Sequence, residues 1–161
     1  VDRLVMGLIE KYRDYTRSWI NGTADHMIQH DPAFEWLFEV SPDGQYKPWL
    51  AESWEITKGG RKVIFHVKKG IKSNWGNLLT AKDVKYTWDR HFALKGVGGF
   101  FIGVLKLPNP DSVRVEGPYT VSFETPNPNP VMLTMMVNLF NPIFDSTKLL
   151  AIEKSIERIR K

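Results

Sequence analysis

The chain has 161 residues, a net charge of +4 and no cysteine. Its length suits one domain or part of a larger one, and 42% hydrophobic and 25% charged residues are typical of a folded globular protein. The lack of cysteine excludes disulfide scaffolds, thiol catalysis and thiolate metal sites. The basic residues are scattered and no apolar run approaches ~20 residues, so neither nucleic-acid binding nor a membrane-spanning helix is predicted.

The first forty residues carry weak structural signals. The apolar run Arg3–Ile9 predicts a buried strand, and Asn21-Gly22 predicts a turn. A helix is predicted over residues 23–38, with a Thr cap at its start and Pro32 interrupting or restarting it. The Pro and Asp-Gly within Ser41–Pro48 then predict a turn.

The clearest hairpin lies between Ser53 and Lys72. Apolar and polar residues alternate on both sides of Gly59-Gly60, which supplies the turn. The alternation over residues 63–67 places one face in the core and His66 on the outer face. A solvated histidine is therefore favoured over a metal ligand at this position.

A helix is predicted to begin after Thr80. The Thr80 hydroxyl is expected to accept a hydrogen bond from the Asp83 amide, and the Asp83 carboxylate to reach back to the Thr80 amide, which forms a capping box. Val84, Trp88 and Phe92 recur at the spacing of one helical face. This face is predicted to lie in the core.

The stretch Lys95–Leu105 differs from its surroundings. Glycines at positions 96, 98 and 99 predict a mobile loop, and Phe100 and Phe101 follow it directly.

The rest of the chain adds one more hairpin and two helices. The hairpin is predicted over residues 112–126 with a Gly-Pro turn. A Met-rich helix follows Pro130, with its methionines as adaptable core filler, and an amphipathic helix covers Lys148–Lys161. The order of these elements predicts an α+β fold class rather than a strict series of βαβ units.

No catalytic constellation stands out, since the G-x-S-x-G, P-loop and H-E-x-x-H motifs are absent from the sequence. His26 and His30 have the i, i+4 spacing of a metal-binding pair. A third ligand is not apparent and Pro32 disturbs the same helix, so a solvated helix face is favoured. No metal and no cofactor are predicted.

Five stretches between Ser41 and Phe144 follow one another in a characteristic order. They read SPDGQYKPWLAESWEI, KVIFHVKKGIK, WGNLLTAKDVKYTWDR, PYTVSFETPNPNPVM and NPIF. Together they resemble the N-terminal part of the extracytoplasmic solute-binding proteins of ABC transporters, the family that includes oligopeptide-, dipeptide- and nickel-binding proteins. The sequence departs from that family at Trp75 and Leu78, where an acid and a proline are frequent.

The resemblance implies the N-terminal subdomain of a type II periplasmic-binding-protein-like fold, with an antiparallel or mixed sheet and packed helices. It implies that residues 1–40 are the first segment of the ligand-binding lobe, that residues 41–145 form an α+β subdomain beside it, and that residues 146–161 start the return segment. Family members are several hundred residues long and close two lobes over a ligand. The chain therefore looks like a fragment with a largely structural role.

The function implied by the resemblance is capture of a small solute, a peptide or an oligosaccharide, for the permease subunits of an ABC importer. The implied location is the periplasmic or extracellular face of the cell membrane. Neither catalysis nor a nucleic-acid partner is expected, and membrane contact is expected only through the permease or a lost anchor. The apolar strand Arg3–Ile9 would lack its neighbouring strands in a fragment, so it is expected either to pair with a second copy of the chain or to be rearranged, with the amphipathic end of the chain covering apolar surface nearby.

The position of the cleft in this family suggests ligand-binding residues in this chain. They are Trp19, Asn21, Trp36, Phe100 and Phe101, with core packing as the alternative for the aromatic ones. An aromatic-rich carbohydrate-binding module attached to an enzyme is the alternative function. A small hydrolase ranks last, for want of a nucleophile.

Overall fold

The computed structural model describes residues 36–94, 97–136 and 142–159, with the backbone alone for residue 97 and residues 155–159. The predicted strand at residues 3–9, the turn at Asn21-Gly22 and the predicted helix before Trp36 lie outside the described residues. In the described part, helices pack on an antiparallel sheet, so the predicted α+β fold class is confirmed.

Six strands of the described residues form two antiparallel sheets. They are β1 (Phe38–Val40), β2 (Tyr46–Pro48), β3 (Ala51–Thr57), β4 (Lys62–Val67), β5 (Val113–Gly117) and β6 (Thr120–Glu124). β1 and β2 pair with each other, and the other four strands form one sheet in the order β3-β4-β6-β5. Val63, Phe65 and Val67 of β4 are buried on one face, as the alternation predicts.

Four α-helices and two 3₁₀ turns join the strands within the described residues. They are α1 (Ala81–Leu94), α2 (Val97–Leu105), α3 (Met132–Met136), α4 (Ser146–Ile159) and the turns Lys58–Gly60 and Pro110–Ser112. The α1 helix packs on β5 and β6, and its Trp88 ring lies edge-on to Phe123 with centroids 5.3 Å apart. Val84 and Trp88 are buried and Phe92 is partly buried, which confirms the predicted core face of α1.

Both predicted hairpins are present. Between β3 and β4, Gly59 and Gly60 have φ angles of 63° and 86°, which glycine adopts without strain. His66 lies on the outer face of β4, where its Nε2 is 3.1 Å from Oε1 of Glu55. The second hairpin joins β5 and β6 through the Gly117-Pro118 turn.

The capping box predicted at the start of α1 is confirmed in one of its two halves. The Asp83 carboxylate accepts hydrogen bonds from the Thr80 backbone amide at 2.7 Å and from the Thr80 hydroxyl at 2.9 Å. The Thr80 hydroxyl oxygen accepts from the Lys82 amide at 3.3 Å, because the Asp83 amide donates to the Thr80 carbonyl instead, at 3.1 Å. Asp83 is therefore the main capping residue.

The prediction of a helix that extends through Phe38 is wrong for the last residues of that helix. Trp36 and Leu37 are not helical, and Phe38 begins β1, where it pairs with Pro48. The Phe38 ring is fully buried and stacks on Trp54, with centroids 5.1 Å apart. Aromatic packing between segments distant in sequence thus outweighs the helical pattern of this stretch.

The mobile loop predicted before Phe100 is also wrong, because this stretch forms α2, which packs against α1. Gly98 lies against the buried side chain of His91. A Cβ atom at Gly98 would stand 2.0 Å from Nδ1 and 2.6 Å from Cβ of His91. Glycine therefore permits close approach of two helices here, and the burial gained outweighs its low helix propensity.

We expect Gly98→Ala to lower the free energy of unfolding by about 2 kcal/mol, because the added methyl group overlaps His91 and forces the helices apart. Gly103→Ala is the matched control, since nothing lies within 4 Å of a Cβ at that position of the same helix. Alanine should stabilise the chain there by up to about 1 kcal/mol through its helix propensity. Urea unfolding of both variants measures the difference, and equal midpoints would contradict the close contact.

The two helices predicted near the end of the chain are present. Met132 and Met136 of α3 are buried, which confirms their predicted role as core filler. On α4, Leu149 forms a small apolar cluster with Phe144 and with Tyr86 of α1. The α4 helix is thereby attached to the same layer as α1.

Candidate functional site

Among the residues predicted to bind ligand, Trp19 and Asn21 lie outside the described residues. Trp36 is half-buried, and its carbonyl accepts a hydrogen bond from the Leu50 amide at 3.0 Å. Its indole N–H is buried and has no hydrogen-bond partner within the part of the chain that the structure describes. A buried indole N–H usually has one, so Trp36 carries an unused donor there.

Phe100 and Phe101 are neighbours on α2, with their rings edge-to-face and centroids 5.4 Å apart. They differ in exposure: Phe100 is 64% exposed, whereas Phe101 is 2% exposed and belongs to the core. Among the described residues, the Phe100 ring contacts the Phe101 ring and does not contact the Trp36 ring. Among the predicted ligand-binding residues that the structure describes, Phe100 is thus the one with a mostly exposed ring, and the binding roles of all three remain predictions.

The most elaborate polar arrangement is one that the sequence analysis missed, at the adjoining starts of α1 and α4. Asp83 is 3% exposed, and its Oδ2 caps α1 through Thr80. Its Oδ1 accepts from the Ser146 amide at 2.9 Å and from the Ser146 hydroxyl at 2.8 Å. One buried carboxylate therefore holds two helix starts together.

Asp145 makes a second such link, between α4 and the loop before α1. Its Oδ1 accepts from the Lys148 amide at 2.9 Å, and its Oδ2 accepts from Ser73 Oγ at 2.5 Å and Asn77 Nδ2 at 2.9 Å. Burial opposes ionisation of Asp145, but the hydrogen bonds from Ser73, the Lys148 amide and Asn77 outweigh it. The pKa of this carboxyl consequently lies below its usual value.

Further contacts attach α4 along α1. The Phe144 amide donates to the Thr87 hydroxyl at 3.0 Å, and that hydroxyl donates to the Asp83 carbonyl at 2.9 Å. The guanidinium of Arg90 pairs with Glu153 on α4. Because the carboxylates of Asp83 and Asp145 are occupied by helix amides and hydroxyls, this cluster is suited to holding elements together and not to acid-base chemistry.

The sequence contains a local signal that indicates Asp145 as a helix-capping residue. Asp145-Ser146-Thr147 immediately precedes the amphipathic run, and Asp is a preferred residue before the first helical turn. The partner of Ser146, however, is Asp83, which lies 63 positions earlier in the chain. That pairing could not be seen without the fold.

An open apolar pocket of about 440 Å³ lies between the β3–β4 turn and the segment that leads into α3. It is lined by Ile56, Gly60, Val63, Pro128, Asn129, Pro130, Met132 and Leu133. The Asn129 side chain is engaged, since its Nδ2 donates to the Leu105 carbonyl at 2.9 Å. The pocket therefore offers apolar surface with few free polar groups.

No three His, Cys, Asp or Glu side chains within residues 36–94, 97–136 and 142–154 are placed to hold a metal ion. The His26 and His30 pair lies outside the described residues. None of the helices described here is long and apolar enough to cross a membrane.

A family model described as bacterial extracellular solute-binding proteins, family 5 Middle, matches residues 45–157. This match covers more than half of the chain. The chain belongs to this family. The resemblance inferred from the five sequence stretches is thereby confirmed, and the family is one of solute-binding proteins.

Curated relatives match this family member over shorter ranges. The probable deoxycholate-binding periplasmic protein YgiS of Escherichia coli is 42% identical over 57 residues, which are 35% of this chain and 11% of the relative. The periplasmic oligopeptide-binding protein OppA of the same organism is 37% identical over 71 residues, which are 44% of this chain and 13% of the relative. The predicted extracytoplasmic location is confirmed by the family and by these periplasmic relatives.

Solved structures confirm the type II binding-protein fold. A dipeptide-binding protein from Pseudoalteromonas sp. SM9913 has a TM-score of 0.72 at 21% identity, over 86% of this chain and 30% of that chain. OppA of Haemophilus influenzae has a TM-score of 0.67 at 21% identity, over 75% of this chain and 26% of that chain. The alternative of a carbohydrate-binding module attached to an enzyme is not supported by these matches.

Proposed function

We propose that this chain forms part of the solute-binding subunit of an ABC importer, which captures a peptide or a similar small solute for the permease subunits. The match of residues 45–157 to the solute-binding family is the observation that supports this function most directly. OppA is named as an oligopeptide-binding protein and YgiS as a probable deoxycholate-binding one. Peptides are therefore the first solute class to test, with bile acids second.

Within such a subunit, the described residues act as a supporting subdomain. The buried links from Asp83 and Asp145 hold α1, α4 and the loop before α1 together as one unit. Solute-binding proteins of this kind work by closure of lobes around the ligand. Because this chain matches only 26% to 30% of the two solved relatives described above, it contributes one part of the enclosing surface.

Phe100 is the described residue best suited to reach a solute in that arrangement. Its ring is mostly exposed, and α2 carries it on a helix made only of apolar residues and glycine. Trp36 is a second candidate contact, through the part of this half-buried residue that remains accessible and not through its buried indole N–H. Self-association through residues 3–9 and contributions from Trp19 and Asn21 are further expectations for the part of the chain outside the described residues.

The isolated 161-residue chain should bind peptides weakly or not at all, because one part of a lobe cannot close around a ligand. Titration calorimetry with the dipeptide Met-Leu and with a pool of tripeptides should give no saturable heat. Recovery of the peptides intact, checked by mass spectrometry, tests the proposal that the chain does not catalyse. Tight stoichiometric binding to this chain alone would contradict its role as a supporting subdomain.

The protein encoded by the complete reading frame around this segment tests the function itself. It should bind one of the two solute classes saturably, and Phe100→Ala should weaken that binding, whereas Ile56→Ala, also at an exposed apolar residue, should not. Saturable binding that is insensitive to Phe100→Ala would leave the importer function standing and remove Phe100 from the site. Absence of binding to peptides, bile acids and sugars alike would contradict the importer function.

A further inference from the structure

The loop between β4 and α1 presents a tryptophan at its tip. In the segment Lys72–Leu78, here named the Trp75 loop, Lys72 and Leu78 form an antiparallel bridge. The Ser73 amide donates to the Asn77 carbonyl at 2.8 Å, and the Gly76 amide donates to the Ser73 carbonyl at 2.9 Å. Trp75 therefore lies at the end of a closed, hydrogen-bonded loop.

Hydrogen bonds fix this loop to the start of α4. Ser73 Oγ and Asn77 Nδ2 both donate to Oδ2 of Asp145, which is buried at the start of α4. Gly76 has a φ of 84°, which removes the strain that most residues would have in this turn. The loop is thus ordered before any partner arrives, and little conformational entropy remains to be lost on binding.

The side chains that the loop presents are apolar. Trp75 is 54% exposed and Leu78 is 48% exposed. Neither of these two side chains belongs to the hydrophobic core of the described residues. Tryptophan is favoured at interfaces where one end of the indole is in apolar surroundings and the other end contacts water. A rigid loop that displays a tryptophan and a leucine is therefore suited to insertion at such an interface.

The sequence around the loop is basic, and the Asp145 carboxylate that contacts the loop is buried. Residues 68–82 contain four lysines, at positions 68, 69, 72 and 82, and no Asp or Glu. The ammonium group of Lys148 on α4 lies 5.9 Å from the centroid of the Trp75 ring. Among the described residues these five lysines form no ion pair, in contrast to Lys58 and Lys62, which pair with Glu124 and Glu116. The charge around Trp75 is therefore free to meet an anionic partner.

We propose that the Trp75 loop docks on the surface of a phospholipid bilayer that contains anionic headgroups. The indole and Leu78 enter the headgroup region, and the lysines meet the lipid phosphates, a combination typical of interfacial membrane binding. The extracytoplasmic location of the family places such a surface within reach. Docking through this loop keeps the binding protein near the membrane and does not depend on which solute is carried.

The test is co-sedimentation of the 161-residue chain with vesicles of phosphatidylcholine, with and without phosphatidylglycerol. Binding should require phosphatidylglycerol and should weaken as salt is raised, because salt screens the lysine-phosphate attraction. Lys72→Gln with Lys148→Gln should lower the partition coefficient by about tenfold or more, since each surface lysine contributes measurably to attraction by an anionic membrane. Trp75→Ala should lower it by a similar factor, through loss of the inserted indole.

Matched controls distinguish an effect of the loop from a general effect of surface charge or of an exposed apolar side chain. Lys47→Gln with Lys106→Gln removes the same charge elsewhere, and Ile56→Ala truncates another exposed apolar residue. Both should leave vesicle binding close to that of the parent chain. Binding to phosphatidylcholine alone, loss of binding in the controls equal to that in the loop variants, or binding only to a single-stranded oligonucleotide would each overturn the proposal.

Discussion

Replacement of Asp83 by alanine is expected to lower the free energy of unfolding by about 3 kcal/mol. The carboxylate accepts from the amide and hydroxyl of Thr80 and from the amide and hydroxyl of Ser146, in a site that is almost fully buried. Its removal leaves buried donors at the starts of both α1 and α4 without partners. The loss should therefore exceed that of an ordinary helix cap.

Urea unfolding measures the effect, and hydrogen exchange locates it. Amides at the start of α4 should lose protection more than those of β4, because Asp83 joins α4 to α1. Asp89→Ala is the matched control on the same helix, since Asp89 forms a more exposed i, i+4 pair with Lys85, and pairs of this kind contribute about 0.5 kcal/mol or less. Equal stability losses in the two variants would show that the link between the helices is unimportant.

The free energy of unfolding is expected to fall by about 3 kcal/mol as pH decreases from 6.5 to 4, through His91 alone. His91 is 1% exposed, and neither ring nitrogen has a hydrogen-bond partner among the described residues. Burial, reinforced by the nearby charge of Arg90, lowers the pKa of His91 to about 4 in the folded chain. The unfolded chain thus binds a proton at a higher pH than the folded chain does.

The sign follows from that difference. Above pH 6.5 the imidazole is neutral in the folded and in the unfolded chain, so its burial carries no charge penalty. Below pH 6.5 the unfolded chain takes up a proton and the folded chain does not, so the unfolded chain is increasingly favoured until the pH reaches the pKa of His91 in the folded chain. Unfolding midpoints measured across this range should therefore fall steeply in the parent chain. His91→Leu should remove most of this slope, and His66→Gln, at the half-exposed histidine of β4, should keep it. An unchanged slope in His91→Leu would assign the acid sensitivity to other groups.

Local patterns predicted those elements whose stabilising contacts are close in the chain. The β3–β4 hairpin has its turn glycines and its alternating faces within one short stretch, and both strands occur as predicted. The start of α1 was predicted because Thr80 and Asp83 are three positions apart. Family membership was also predictable, since ordered motifs over residues 41–144 are a property of the sequence itself and need no coordinates.

The predictions failed where distant residues decide the conformation. The glycines before Phe100 were interpreted as a flexible loop, but Gly98 is the point at which α2 meets His91 of α1. Phe38 has helical spacing in its neighbourhood, yet its ring is needed against Trp54 in the core. In both cases burial against a remote partner is worth more than the local preference of the backbone.

The sequence alone therefore determined the fold class, the family, the two hairpins and the capped start of α1, because each depends on residue types at short or recurring spacings. The tertiary structure alone decided the joint between α1 and α4, the exposed position of Phe100 against the buried position of Phe101, and the rigid presentation of Trp75. These features depend on contacts such as Asp83 with Ser146 and Ser73 with Asp145. Hydrogen bonds and burial of this kind join residues more than sixty positions apart, and no local pattern in the chain encodes which distant partner will be met.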